Sequence, residues 1–280
     1  MNTDKKGLGG WILIGLVLVY MGFLIIAPIS ALITGALQNG LLAAWRSLIS
    51  SVLMQSLMLS LRIALLVVLV QAIFGSMVAW VTVRHEFRSK SLLNGLIDIP
   101  FAISPVVVGY MLLLLFGRNG LFSPILECFD IQVAFAVPGM FLATLFVCSP
   151  FMIREMVPVI KNLDRQQEFA ASTLGANSWI IFWRVIFPQL KNALIYGMTL
   201  TLARALGEFG AVLVIGGGVQ GRTETTTLYI FRTLDERQYT DAYTAAILLG
   251  LFSVLIVSLA DWLKRSQEKR KAMRSVDIRI

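Results

Sequence analysis

Residues 162–190 read Asn-Leu-Asp-Arg-Gln-Gln-Glu-Phe-Ala-Ala-Ser-Thr-Leu-Gly-Ala-Asn-Ser-Trp-Ile-Ile-Phe-Trp-Arg-Val-Ile-Phe-Pro-Gln-Leu, a polar and aromatic island between long apolar runs. Glu168 to Leu174 is rich in short residues and compatible with a helix. Gly175 breaks it, because glycine adopts left-handed turns cheaply. Asn177 or Ser178 then caps a second helix that runs to Phe187. Pro188 is expected to stop that helix. A compact helix–turn–helix with little bulk at Ala170 and Ala171 suits close docking of another protein. The plainer reading is an amphipathic surface loop.

The chain outward from this island is mostly apolar. Of its 280 residues 57% are hydrophobic and 14% charged, with mean hydropathy +0.79. Soluble domains carry about 25% charged residues, so lipid is the solvent for most of this chain. Runs poor in Asp, Glu, Lys and Arg predict six spans, near 11–33, 63–83, 99–117 (starting near Leu93), 131–153, 192–215 and 242–260. No alternation of the β-barrel kind is sustained. The first apolar stretch is too long for a signal peptide and lacks a clear cleavage site. The expected fold is all-α and polytopic: a cytoplasmic N-terminus at 1–10, a six-helix membrane domain at 11–263 that includes the 160–190 loop, and a basic cytoplasmic tail at 264–280.

Lys and Arg set the sidedness. With the N-terminus inside, 17 basic residues fall in cytoplasmic segments and 5 outside, Arg46, Arg118, Arg222, Arg232 and Arg237. Both termini are therefore expected in the cytoplasm. The net charge of +8 collects at the ends of apolar runs. That placement points to lipid headgroups around Lys264–Arg274 and away from nucleic acid.

Charges within spans are costly and turn toward the protein interior. Arg204 and Glu208 are spaced i and i+4 and can neutralise each other. They read either as a structural ion pair or as part of a gate. Asp98, just before Pro100, reads as a cap or as one half of a salt bridge. Arg62 can snorkel at the outer end of span two. Pro100 and Pro105 bracket Ser104, and irregular backbone at that depth is tolerated where it is buried or lines a cavity. Ser104 and Pro105, with Arg204 and Glu208, are thus the candidates for the pathway or gate. Gly75 and Ala79, four apart, suggest close helix packing.

Several function classes drop out. Gly216 to Thr223 nearly fits a phosphate-binding loop, but Arg222 replaces its lysine and a membrane helix precedes it where a strand is needed. His85 is the only histidine, so no histidine-based metal site or catalytic triad is available. Cys128 and Cys148 have no ligand-like spacing and read as structural. No catalytic constellation and no metal site are expected.

The 160–190 segment resembles the EAA loop of ABC-importer permeases through Ala170, Ala171, Gly175 and Pro188. The acidic residue departs from that pattern. The family's glutamate falls on Phe169, whereas the carboxylate here is Glu168, about 100° away around a helix. Which of the two anchors the partner stays open. Asp98-Ile-Pro-Phe-Ala-Ile-Ser-Pro-Val-Val-Val-Gly109, Phe151-Met-Ile-Arg-Glu-Met-Val-Pro158 and Arg204-Ala-Leu-Gly-Glu-Phe-Gly-Ala211 are similar to sulfate/thiosulfate importer permeases. Molybdate and tungstate permeases share the last of these.

The resemblance implies a type I importer permease in a bacterial plasma membrane, working as half of a translocation pathway. Its partners would be a second, homologous permease, two copies of a nucleotide-binding ATPase, an extracytoplasmic substrate-binding protein and membrane lipid. ATP and Mg would be bound by the ATPases, with no cofactor in this chain. The other reading is a self-sufficient secondary transporter, expected to show inverted repeats or broken helices and no docking loop.

Overall fold

The structure, a computed structural model, describes residues 8–277; at 8, 9, 260 and 263–277 it describes the backbone alone. Lys5, Lys6 and the basic side chains of the tail lie outside the described residues. In chain order the helices are α1 (Leu8–Ala36), α2 (Leu41–Leu48), α3 (Ser51–Arg84), α4 (Lys90–Ala102), α5 (Pro105–Phe116), α6 (Ser123–Cys128), α7 (Val137–Lys161), α8 (Arg165–Thr173) and α9 (Ser178–Ile181). A π-helical turn, Phe182–Ile186, leads into α10 (Phe187–Leu206), and α11 (Gly210–Gly216), α12 (Thr226–Asp235) and α13 (Tyr239–Asp277) follow. No strand occurs among the described residues.

Four helices, α1, α3, α7 and α13, are long and apolar enough to cross a membrane unbroken. The other two spans are bent pairs: α4 and α5 meet at 111°, and α9 through α10 meets α11 at 58°. Proline chemistry explains the sharper bend. Pro105 has no N–H to donate back into α4, and its ring pushes Ser104 out of the helical region, to φ −59 and ψ 137. Pro105 then occupies the first turn of α5, where a missing donor costs nothing. The second bend falls where α10 ends at Gly207 and Phe209 leaves helical geometry.

Several boundaries move from their expected places. Span two starts at Ser51 rather than near 63, because the exposed Arg62 interrupts the charge-free run without interrupting the helix. Span four starts at Val137 rather than 131. Phe135 just before it takes φ 58, and its N–H donates to the Ile215 carbonyl at 2.7 Å. Span six shows no break at 263, since α13 continues as one helix to Asp277. The short helices α2, α6 and α12 carry no long apolar run and were not expected.

Span four, α7, is the hub. Its N-terminal half joins Met140, Ala143 and Val147 to Ile63 and Val67 of α3 and to Val212 and Ile215 of α11. Its C-terminal half joins Met152, Ile153 and Met156 to Ala79 of α3 and to Leu190 and Ala193 of α10. Met152 is buried between two glycines. A Cβ at Gly75 would lie 2.9 Å from its Cγ, and one at Gly197 would lie 2.8 Å from its Sδ. Lipid gives apolar side chains no reason to associate, so helices here depend on such close approach. The peripheral α1 packs mainly on α13, and most of its apolar side chains are exposed, as suits contact with lipid.

Candidate functional site: the 160–190 loop and the two broken spans

The 160–190 loop is built by two side-chain caps. Asp164 Oδ1 accepts from Gln166 N at 2.9 Å to start α8, and Asn177 Oδ1 accepts from Ile180 N at 2.9 Å to start α9. Between them Gly175 takes φ +84, and open space surrounds its Cα. Phe169, Leu174 and Trp179 are exposed at 67%, 88% and 69%, with small Ala170 and Ala171 on the same element. This is an apolar projection that no side chain among the described residues covers.

Pro188 does not stop the second helix. The chain stays helical from Ser178 to Leu206, with a π-helical turn at Phe182–Ile186 just ahead of the proline. A proline ring clashes with the carbonyl four residues back, and a wider turn relieves that clash. The loop is therefore rigidly continuous with span five.

Glu168 turns inward. Its carboxylate pairs with Arg84 at the end of α3, and Arg84 also stacks on Trp80, 4.9 Å from the ring centroid. Only 10% of the Arg84 side chain and 24% of the Glu168 side chain are exposed. Phe169, one residue later, points out. The one-place offset in the sequence thus separates two environments: Glu168 fastens the loop to span two, and Phe169 is left exposed. The neighbouring pair Asp98–Arg154 likewise fastens α4 to α7 on this side.

The candidates Ser104, Pro105, Arg204 and Glu208 gather where the two bends face each other. A Cβ at Gly210 would lie 3.0 Å from Val106 Cγ2 and 3.4 Å from Pro105 Cβ; one at Gly109 would lie 2.8 Å from the Ala211 carbonyl oxygen. The C-terminal half-helices of the two bent spans, α5 and α11, therefore pack backbone to backbone, with Ser104 exposed at the corner. Arg204 and Glu208 do not share one unbroken helix, because α10 ends between them. Their ion pair forms across that end, Nη1 to Oε2, at 2.7 Å. Glu208 is 1% exposed at its side chain, and its Oε1 also accepts from Ala211 N at 3.1 Å. This carboxylate holds the start of α11 and stays neutralised by Arg204.

Away from the 160–190 loop, the 216–227 segment packs against the N-terminal part of α3. Thr223 Oγ1 donates to the Gly216 carbonyl at 2.7 Å and accepts from Val219 N at 3.0 Å. The hydroxyl that a phosphate loop would offer to a metal is spent within the turn. Ser60 and Thr226 tie this turn to α3, with Thr226 N donating to Ser60 Oγ at 2.8 Å. Arg232 is gripped by Glu224 and Glu236, and the Glu224 hydrogen bond drives its pKa up from an already high value. Burial pushes the nearby Tyr229 hydroxyl up from its ordinary value.

Comparison with known proteins agrees with this architecture. The family described as "Binding-protein-dependent transport system inner membrane component" matches residues 71–273. A protein named sulfate transport system permease protein CysW from Synechococcus elongatus is 44% identical over 91% of this chain and 90% of its own. A sulfate transport system permease protein CysT from Escherichia coli is 35% identical over 90% and 94%. A bacterial alginate ABC transporter, crystallised with a pentasaccharide-bound periplasmic protein, shares the fold at TM-score 0.72 and 19% identity, over 91% of this chain and 94% of the other. Broken helices do not by themselves mark a secondary transporter, since this chain has two bent spans and matches the transport-system family. The chain is a multi-pass membrane protein and belongs to the family of binding-protein-dependent transport system inner membrane components.

Proposed function

We propose that this chain is one membrane-spanning subunit of an ATP-driven importer for sulfate and thiosulfate. The observation that carries the reading is its likeness, along nearly its full length, to permeases named for sulfate transport. The two kinds of relative support pairing with a second, distinct permease. The uncovered Phe169–Leu174–Trp179 projection supports docking to an ATPase, two copies of which would bind ATP and Mg on the cytoplasmic face. An extracytoplasmic binding protein would deliver the anion. The plasma membrane of a bacterium, with both termini inside, is the setting that the 17-to-5 charge split favours.

The chain's own contribution follows from its geometry. Motion of the ATPases at Phe169 reaches span two through Glu168–Arg84, and span five through the unbroken helix past Pro188. Spans two, four and five are packed as one body around Met152, so they move together. The bends at Ser104 and Gly207 give the pathway polar backbone without a deep cationic site. A dianion must bind weakly there if it is to leave again.

Uptake of radiolabelled sulfate by cells carrying the whole system tests the substrate. Unlabelled thiosulfate should compete, and molybdate or tungstate should compete far less. Preferential competition by molybdate would move the assignment to that oxyanion.

A further inference from the structure

Of the arginines expected on the outer face, Arg232 is committed to Glu224 at 2.6 Å and to Glu236 at 2.9 Å. Arg62 and Arg222 are different. They line one open cavity of about 600 Å³ together with Ser51, Gln55, Ser56 and Gly221. Neither forms an ion pair among the described residues. Glu224 also borders the cavity, but its side chain is 2% exposed and held by Arg232. Two guanidinium groups thus share a cavity in which the one carboxylate is already neutralised.

Both are carried on backbone that is fixed. Arg62 lies on α3, two residues from Ser60. Arg222 lies on the glycine turn, where its N–H donates to the Val219 carbonyl at 3.1 Å and its neighbour Thr223 closes the turn. The Ser60–Thr226 hydrogen bonds, at 2.8 and 3.1 Å, join the two backbones directly. Two unpaired cations that border one cavity repel, and an anion bound between them offsets that repulsion. A guanidinium presents a planar fork of N–H donors that matches the oxygens of a tetrahedral oxyanion. Both side chains stay exposed, so solvent and salt weaken the grip, as a site that must release its ion requires.

We propose that Arg62 and Arg222 form an outward-facing site for a tetrahedral oxyanion, the entry point of the pathway in this chain. The proposal rests on the import reading for its role, and on the cavity alone for its chemistry. The same chemistry is offered by a free sulfate-type dianion and by a phospholipid phosphate. We commit to the free ion as the functional ligand.

Arginine footprinting with phenylglyoxal, read peptide by peptide in the assembled complex, tests it. In maltoside micelles, which contain no phosphate, sulfate should slow modification of Arg62 and Arg222 by about tenfold relative to chloride at equal ionic strength, the factor expected of one charge-assisted contact. Arg46 and Arg237 should react alike in both salts. Protection by phospholipid nanodiscs without sulfate, and none by sulfate in micelles, would assign the site to lipid headgroups and overturn the free-ion role. Protection that needs only the binding protein would make the pair a protein-docking patch and overturn the proposal. No protection in any arm would do the same. In uptake, R62Q/R222Q should raise the half-saturating sulfate concentration about tenfold with complex yield unchanged, and R62K/R222K should recover part of it. A complex that shows protection yet imports no sulfate would sink the import reading and leave the site standing.

Discussion

Glu208 shows how one side chain settles between two readings. Its carboxylate is 1% exposed, paired with Arg204, and bonded to the first turn of α11. Removing either partner strands a charge in a low-dielectric interior, which costs about 3–5 kcal/mol. Arg204→Ala or Glu208→Ala should therefore cut the abundance of assembled complex, and the Arg204→Met/Glu208→Gln double variant should recover part of it. Immunoblots of membranes beside uptake rates check this. Singles that assemble normally yet transport nothing would make the pair a gate. The i,i+4 spacing made the pairing legible in the sequence. The helix end between the two residues was not legible, because Gly207 is tolerated both inside a helix and at its end, and packing of Gly210 on Val106 decides which. The Arg84–Glu168 pair was hidden for a different reason: its members are 84 positions apart, and no local pattern reports such a contact.

At the scale of elements, the helix–turn–helix of the 160–190 loop is legible in the sequence. Gly175, the small alanines and the Asn177 cap are local signals, and local signals survive in the folded chain. Pro188 misled because its usual effect is to end a helix, whereas a π-helical turn accommodates it here. The bend at Ser104 could be suspected from Pro100 and Pro105 but not its 111° size, which the packing of α5 on α11 fixes. Substitution at Gly175 separates backbone strain from bulk. The residue sits at φ +84 in open space, so Gly175→Ala should pay only the left-handed penalty, about 1–2 kcal/mol, and keep much of the uptake. Gly175→Trp should abolish uptake while the protein remains in the membrane at near-normal level, because the added bulk stands on the docking surface. Equal uptake by the tryptophan variant and the parent would show that the loop is not the ATPase contact.

At the scale of the whole molecule, the fold is a rigid body of spans two, four and five, two facing bends, and a loosely attached first span. Composition was enough to show a lipid-embedded chain, since 14% charged residues cannot coat a soluble surface of this size. Contacts place two loops at different ends of α3, which is 34 residues long, about 50 Å at 1.5 Å per residue. Arg84 at one end meets the 160–190 loop, and Ser60 toward the other meets the 216–227 turn. The central claim is that this body moves a sulfate-type anion only when partner ATPases drive it. Uptake of labelled sulfate into proteoliposomes, with the chain alone and with the chain beside its second permease, ATPases and binding protein, tests that most directly. The account predicts uptake only in the complete assembly, dependent on ATP, and no ATP hydrolysis by the purified chain. Sulfate accumulation by the chain alone, driven by an ion gradient without ATP, would contradict it.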